Sequence, residues 1–231
     1  MASPSVARTR RPTAAHQSDD AFAMRAAEVA EWAKRNIRRI VTVAGALAVL
    51  MLLAVGYFLM QRSNASKASA AYLELSASNL QGTQRTTQLE QFVAQYGGTN
   101  EGKEARLELA GLYLDANQAA RALPHAREVA GSGGYLKYQG QMMLGSVLAR
   151  TGDRAGAIQA YRDAAATSRM DFQRAEALNQ AAILQEGAGN WQGAAELYRE
   201  MLKDTKEGTM DRSIIEMRLS EAEAKIATAR R

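Results

Sequence analysis

Side chains able to do acid–base, nucleophilic or metal chemistry are few in this 231-residue chain and badly spaced for it. There is no cysteine, which removes disulfides, thiolate metal sites and thiol nucleophiles together. The two histidines, His16 and His125, stand on opposite sides of an apolar stretch long enough to span a bilayer, so they cannot share a site. No H-E-x-x-H, G-x-S-x-G or phosphate-loop pattern occurs. Gly131-Ser132-Gly133-Gly134 is rich in glycine, but no Lys-Ser/Thr follows it, and it reads as a flexible connection. Glu221 and Glu223, two positions apart on an expected helix, point to different faces and make a poor acid–base pair. These residues predict no enzyme, no cofactor, no metal and no small-molecule substrate. What remains is the chemistry of protein–protein contact, and that depends on the elements presenting it.

Those elements repeat. Leu144 to Ala166 (LGSVLARTGDRAGAIQAYRDAAA) aligns with Ala181 to Lys203 (AAILQEGAGNWQGAAELYREMLK), pairing Gly152 with Gly189, Ala157 with Ala194 and Tyr161 with Tyr198 at a constant offset of 37. A looser unit, Leu109 to Gly131, brings Ala122 onto Ala157 at an offset of 35. Periods of this size belong to helix-turn-helix arrays. Each retained residue has a physical task. Gly152 and Gly189 enter a left-handed conformation and end a first helix. Asp153 and Asn190 cap the second by accepting from free backbone amides. The small residues Gly145, Ala182, Ala157 and Ala194 let paired helices approach, and Tyr161 and Tyr198, one turn beyond the alanines, fill the space between them. Residues 66–98 supply an earlier pair, Ala68 to Leu80 and Thr86 to Tyr96. Met210 to Ala229 reads as a closing amphipathic helix using Ile214, Met217, Leu219 and Ile226, with a polar face to end the array. Pro124 falls inside a second helix and is expected to kink it.

Upstream lies Ile40 to Met60, IVTVAGALAVLMLLAVGYFLM, without a charge over its whole length. As a helix it extends roughly 31 Å, enough to cross the hydrocarbon core with its backbone satisfied internally. A cleaved signal peptide is the competing reading, with Ala68-Ser69-Ala70 as its cleavage signal. The long apolar core, the 39 residues before it and the distance to that triplet favour a retained anchor. Lys34, Arg35, Arg38 and Arg39 crowd the N-terminal flank, so the positive-inside rule keeps residues 1–39 in the cytoplasm and exports residues 61–231. In a bacterium this places the domain in the periplasm, tethered to the inner membrane.

The formal net charge of +5 does not indicate nucleic acid. Residues 1–39 carry eight Lys or Arg against four acids, an excess of four, which leaves the rest of the chain near neutral and without a basic stripe. Residues 1–20 are polar enough to expect disorder. Residues 21–39 place Phe22, Ala26, Val29, Ala33 and Ile37 at helical spacing, either an amphipathic helix on the cytoplasmic leaflet or simply the charged flank of the anchor.

With Gly, Ala and aromatic residues at these places, the repeats resemble the tetratricopeptide repeat. The fold this implies is all-α: one N-terminal transmembrane helix followed by a tetratricopeptide-like solenoid of about four helix pairs with a right-handed superhelix. In such arrays the first helices line the binding groove. The resemblance therefore nominates Leu107, Leu114 and Asp115 from the first unit, Gln139, Met142, Ser146 and Arg150 from the second, and Glu176, Asn179, Ile183 and Glu186 from the third. The same apolar residues can instead be core, because periodicity does not separate core from groove. The order of parts, with Thr87 to Leu123 (TQLEQFVAQYGGTNEGKEARLELAGLYLDANQAARAL) as its most similar stretch, resembles the YfgM family of ancillary SecYEG translocon subunits over about residues 25–231. That resemblance implies protein partners: the Sec translocon, periplasmic chaperones or exported clients. Scaffolding of division or outer-membrane assembly, and self-assembly of the array, are the alternatives.

Overall fold

A computed structural model of the chain describes residues 14–205 and 210–229. Among them ten helices and no strand are found, arranged in two compact units, residues 1–61 and 62–231.

The first unit contains α1 (Ala14–Arg35) and the apolar part of α2 (Ile37–Ala77). Helix α1 starts inside the stretch expected to lack order: Ala14 to Asp20 are already helical, in a segment where Ala14, Ala15, Ala21 and Ala23 all favour helix. At Asn36, between the two helices, the side-chain amide donates to the Trp32 carbonyl at 2.9 Å. Helix α2 is long and apolar enough to cross a membrane, and its most apolar window has no buried residue. Leu52 is 71% exposed, as a side chain facing lipid would be in the absence of lipid.

The second unit is a run of antiparallel helix pairs. The end of α2 is followed by α3 (Gly82–Tyr96); then α4 (Asn100–Asp115) pairs with α5 (Ala119–Gly131), α6 (Lys137–Thr151) with α7 (Arg154–Thr167), and α8 (Asp171–Gly187) with α9 (Trp191–Asp204); α10 (Met210–Ala229) packs on α9. The expected first pair is thus present, but its first helix is the continuation of α2 and stops at Ala77. Its second helix begins at Gly82, four residues earlier than expected.

Apolar spacing decides which faces are buried. Leu89, Phe92 and Val93 on α3 meet Ala105, Leu109 and Tyr113 on α4 in an N-terminal core. Ala177, Leu178 and Ala181 on α8 meet Leu197, Tyr198 and Met201 on α9 in a C-terminal one. A fully buried leucine contributes roughly 1.5–3 kcal/mol to such a core. The first core is locked by Arg85. Its guanidinium donates to both carboxylate oxygens of Glu108 at 2.6 and 2.8 Å, and to the Leu75 carbonyl at 2.5 Å, joining α2, α3 and α4.

The turns follow the repeat. Gly152 and Gly189 have φ of +88° and +72°, and the corresponding turn between α4 and α5 uses Asn117 at +57°, one of the few non-glycine residues that tolerate the left-handed region. Asp153 accepts from the Gly156 amide at 2.9 Å and Asn190 from the Gly193 amide at 3.1 Å, capping α7 and α9. Gly145 lies against the Tyr161 ring, so close that a β-carbon would meet it at 2.6 Å. Helix α5 continues through Pro124, whose side chain is exposed.

One expectation fails. Helix α10 buries Ile215 and Ala222, with Leu219 and Ile226 half-buried on the same stripe, while Ile214 and Met217 remain exposed at 49% and 61%. Two apolar stripes run along this helix, and the one spaced 215–219–222–226 wins because its four members share a single face toward α9. The outer face of α10 is therefore not uniformly polar.

Candidate protein-binding face

The first helices of successive pairs, α4, α6, α8 and finally α10, lie side by side. Three polar links between neighbours fix this row. Arg150 on α6 donates to the Leu114 carbonyl of α4 at 3.3 Å. Tyr138 on α6 donates to Glu176 of α8 at 3.0 Å and contacts the Gln173 carbonyl at 3.1 Å. Arg218 on α10 pairs with Glu186 of α8 at 3.5 Å. Burial first, then the hydrogen bond to Glu176, pushes the Tyr138 phenol well above its ordinary pKa, so it remains a donor at any working pH.

The eleven nominated residues all fall on this row, but they do not all present themselves outward. Asp115, Gln139, Arg150 and Glu176 are exposed, and Ile183 is 43% exposed. Leu107, Leu114, Met142, Ser146, Asn179 and Glu186 are half-buried. Leu114 packs on the N-terminal core and Met142 on the C-terminal one. Ser146 shares a hydrogen bond with the Tyr161 hydroxyl at 3.1 Å. Glu186 accepts from the Tyr198 hydroxyl at 2.9 Å as well as pairing with Arg218. Thus Arg150, Glu176 and Glu186 serve the array itself, and the middle of the row is occupied by repeat-to-repeat contacts.

The structure adds residues that the nomination left out. Phe172 precedes Glu176 by one turn on the stripe 172–176–179–183–186 of α8, and it is 66% exposed. Extending the helical periodicity one step would have found it. Ile214 and Met217 join it from α10, having been read as packing residues. Tyr135, in the connection before α6, is exposed and hydrogen-bonds to Glu104 of α4, which raises its phenol pKa to about 12.

Paired helices with a glycine turn, a small–aromatic contact between partners and an exposed row of first helices define a tetratricopeptide-type protein-interaction scaffold. The family model for the tetratricopeptide repeat-like domain matches residues 30–224, and the chain belongs to that family. The match takes in the apolar stretch of α2 as well as the helix pairs. No curated protein matches the chain significantly. Domains of this kind mediate protein–protein contacts and are typically non-catalytic, which points to protein partners in general.

Proposed function

We propose that this chain is a single-pass protein of the bacterial inner membrane, with residues 1–39 in the cytoplasm, a span at 40–60 and residues 61–231 in the periplasm. There the repeat domain docks partner proteins on the α4–α6–α8–α10 row. The resemblance to YfgM-type translocon subunits favours a place beside the Sec channel, passing exported chains to chaperones. The observation carrying the scaffold reading is the exposed stripe of α8, with Phe172, Glu176 and Ile183 directed away from both cores. The cationic flank Lys34, Arg35, Arg38 and Arg39 supports the orientation.

Two measurements test this. The chain lacks cysteine, so a single Ile183→Cys substitution can be labelled in intact spheroplasts with a membrane-impermeant maleimide. Labelling without permeabilisation agrees with a periplasmic domain; labelling only after lysis overturns the orientation. A photoreactive residue at position 183 then identifies neighbours in living cells. Adducts to translocon subunits, chaperones or several exported proteins support the secretion role. Adducts confined to division or outer-membrane assembly proteins replace it with an envelope scaffold.

A further inference from the structure

The C-terminal end of the row holds a cleft of about 500 Å³ between α8, α9 and α10. Phe172, Ile214 and Met201 line it together with Asp171, Glu176 and Asp211. No lysine or arginine among the described residues lines it. Among the described residues no ion pair engages any of these three carboxylates. Asp171 and Asp211 sit in the first turns of α8 and α10, at the positive ends of the helix dipoles.

Resting on the scaffold reading above, we propose that this cleft is a docking site for an arginine-bearing apolar segment of a partner protein. Both halves of that chemistry come from the cleft. Large apolar side chains left exposed together on α8 and α10 are covered by apolar residues of a ligand. Three carboxylates with no internal counter-ion repel an acidic segment and an anionic lipid surface, and attract a cation. Arginine fits better than lysine, since its planar fork pairs with a carboxylate through two parallel bonds while its flat face stacks on an exposed ring such as Phe172.

The test uses the full chain in zwitterionic nanodiscs and three fluorescent eight-residue peptides: alternating arginine and leucine, glutamate and leucine, and arginine and serine. Empty nanodiscs provide the blank, and binding is read by anisotropy. The arginine–leucine peptide is expected to bind at least about ten-fold tighter than either control. Its affinity should fall as salt rises from about 0.01 to 0.15 M, where the Debye length shrinks from roughly 30 to 8 Å. Asp171→Asn, Glu176→Gln and Asp211→Asn together should weaken it about ten-fold and flatten the salt dependence, and Phe172→Ser with Ile214→Ser should weaken it similarly. Phe172 and Ile214 are exposed, so the apolar variant keeps its fold, which circular dichroism verifies. Equal binding of the glutamate peptide, or binding indifferent to these substitutions, overturns the proposal. So does light scattering that shows a dimer abolished by the apolar variant, which assigns the cleft to a second copy. Crosslinks from position 183 without peptide binding would remove the cleft and leave the scaffold; absence of both removes the scaffold reading as well.

Discussion

Two interior glycines allow the helix-pair packing to be tested with one methyl group each. Alanine gains roughly 1 kcal/mol over glycine inside a helix, and this gain is common to Gly111 on α4 and Gly145 on α6. Their surroundings differ. A β-carbon at position 111 would find Met143 Cε at 3.9 Å, an ordinary contact. At position 145 it would meet the Tyr161 ring at 2.6, 2.7 and 2.8 Å, about 1 Å inside the carbon–carbon optimum. The ring is buried and its hydroxyl is engaged with Ser146, so it has no free direction in which to yield. Overpacking of this kind costs about 1–3 kcal/mol. Gly111→Ala should therefore stabilise by up to ~1 kcal/mol. Gly145→Ala should fall about 1–3 kcal/mol below it, at neutral to clearly destabilised. Urea titrations of the full chain in nanodiscs, followed by circular dichroism, give the comparison. In a Trp32→Phe background Trp191 is the sole tryptophan, and its emission reports the C-terminal core separately, which matters because repeat arrays need not unfold in one step. Adding Tyr161→Leu should recover part of the loss. If Gly145→Ala raises the midpoint as much as Gly111→Ala does, the small–aromatic contact is not what sets the spacing of α6 and α7.

Two further outcomes follow from polar groups in the N-terminal core. Arg85→Ala should cost about 1.5–3 kcal/mol, since it leaves Glu108 and the Leu75 carbonyl without their charged partner, and should speed amide exchange in α3 first; Arg85→Lys should restore less than half, lacking the two-pronged geometry. His125 is half-buried against Tyr113, with its Nδ1 buried and without a partner, and burial, then the Arg106 charge, lowers its pKa below 6.5. The unfolded chain therefore binds the proton first. His125 is neutral and harmless to stability above about pH 6.5, and stability falls as pH drops below that value. Urea midpoints at pH 7.5 and 5.5 should diverge more for the native chain than for His125→Gln, and equal divergence would refute the linkage.

The parts legible in the sequence are those whose physics is local. A run without charge, glycine at a turn, Asp or Asn after it and tyrosine one turn past alanine each act within a few residues, and the positions 152, 153, 157 and 161 do what their types require. The α4–α5 pair is less legible because it solves the same problems with other residues. Asn117 takes the glycine's turn, and Ala126 occupies the place of the repeated tyrosine while Tyr113 and His125 stack nearby. The boundaries of the first pair were missed for a related reason: the anchor helix runs on without a stop signal, and nothing between Gln61 and Ala77 breaks it.

The face was harder to read than the fold, because its polar residues have two employers. Arg150 and Glu176 are exposed and Glu186 half-buried, all with the charges expected of ligand contacts, yet each also bonds to a neighbouring first helix. In an array whose units touch only their neighbours, some polar side chains on the open face must hold adjacent first helices in register, and a pattern within one repeat does not say which. Helix α10 breaks this ambiguity. There Arg218 makes the link to α8, while Ile214 and Met217 are exposed and, among the described residues, take part in no bond between first helices. Side chains freed from that duty, bordered by carboxylates that no cation of the described chain neutralises, are the ones whose retention a partner explains best. Binding is therefore expected to concentrate at the C-terminal end of the row, with the α4–α6 portion acting mainly as the frame that holds it.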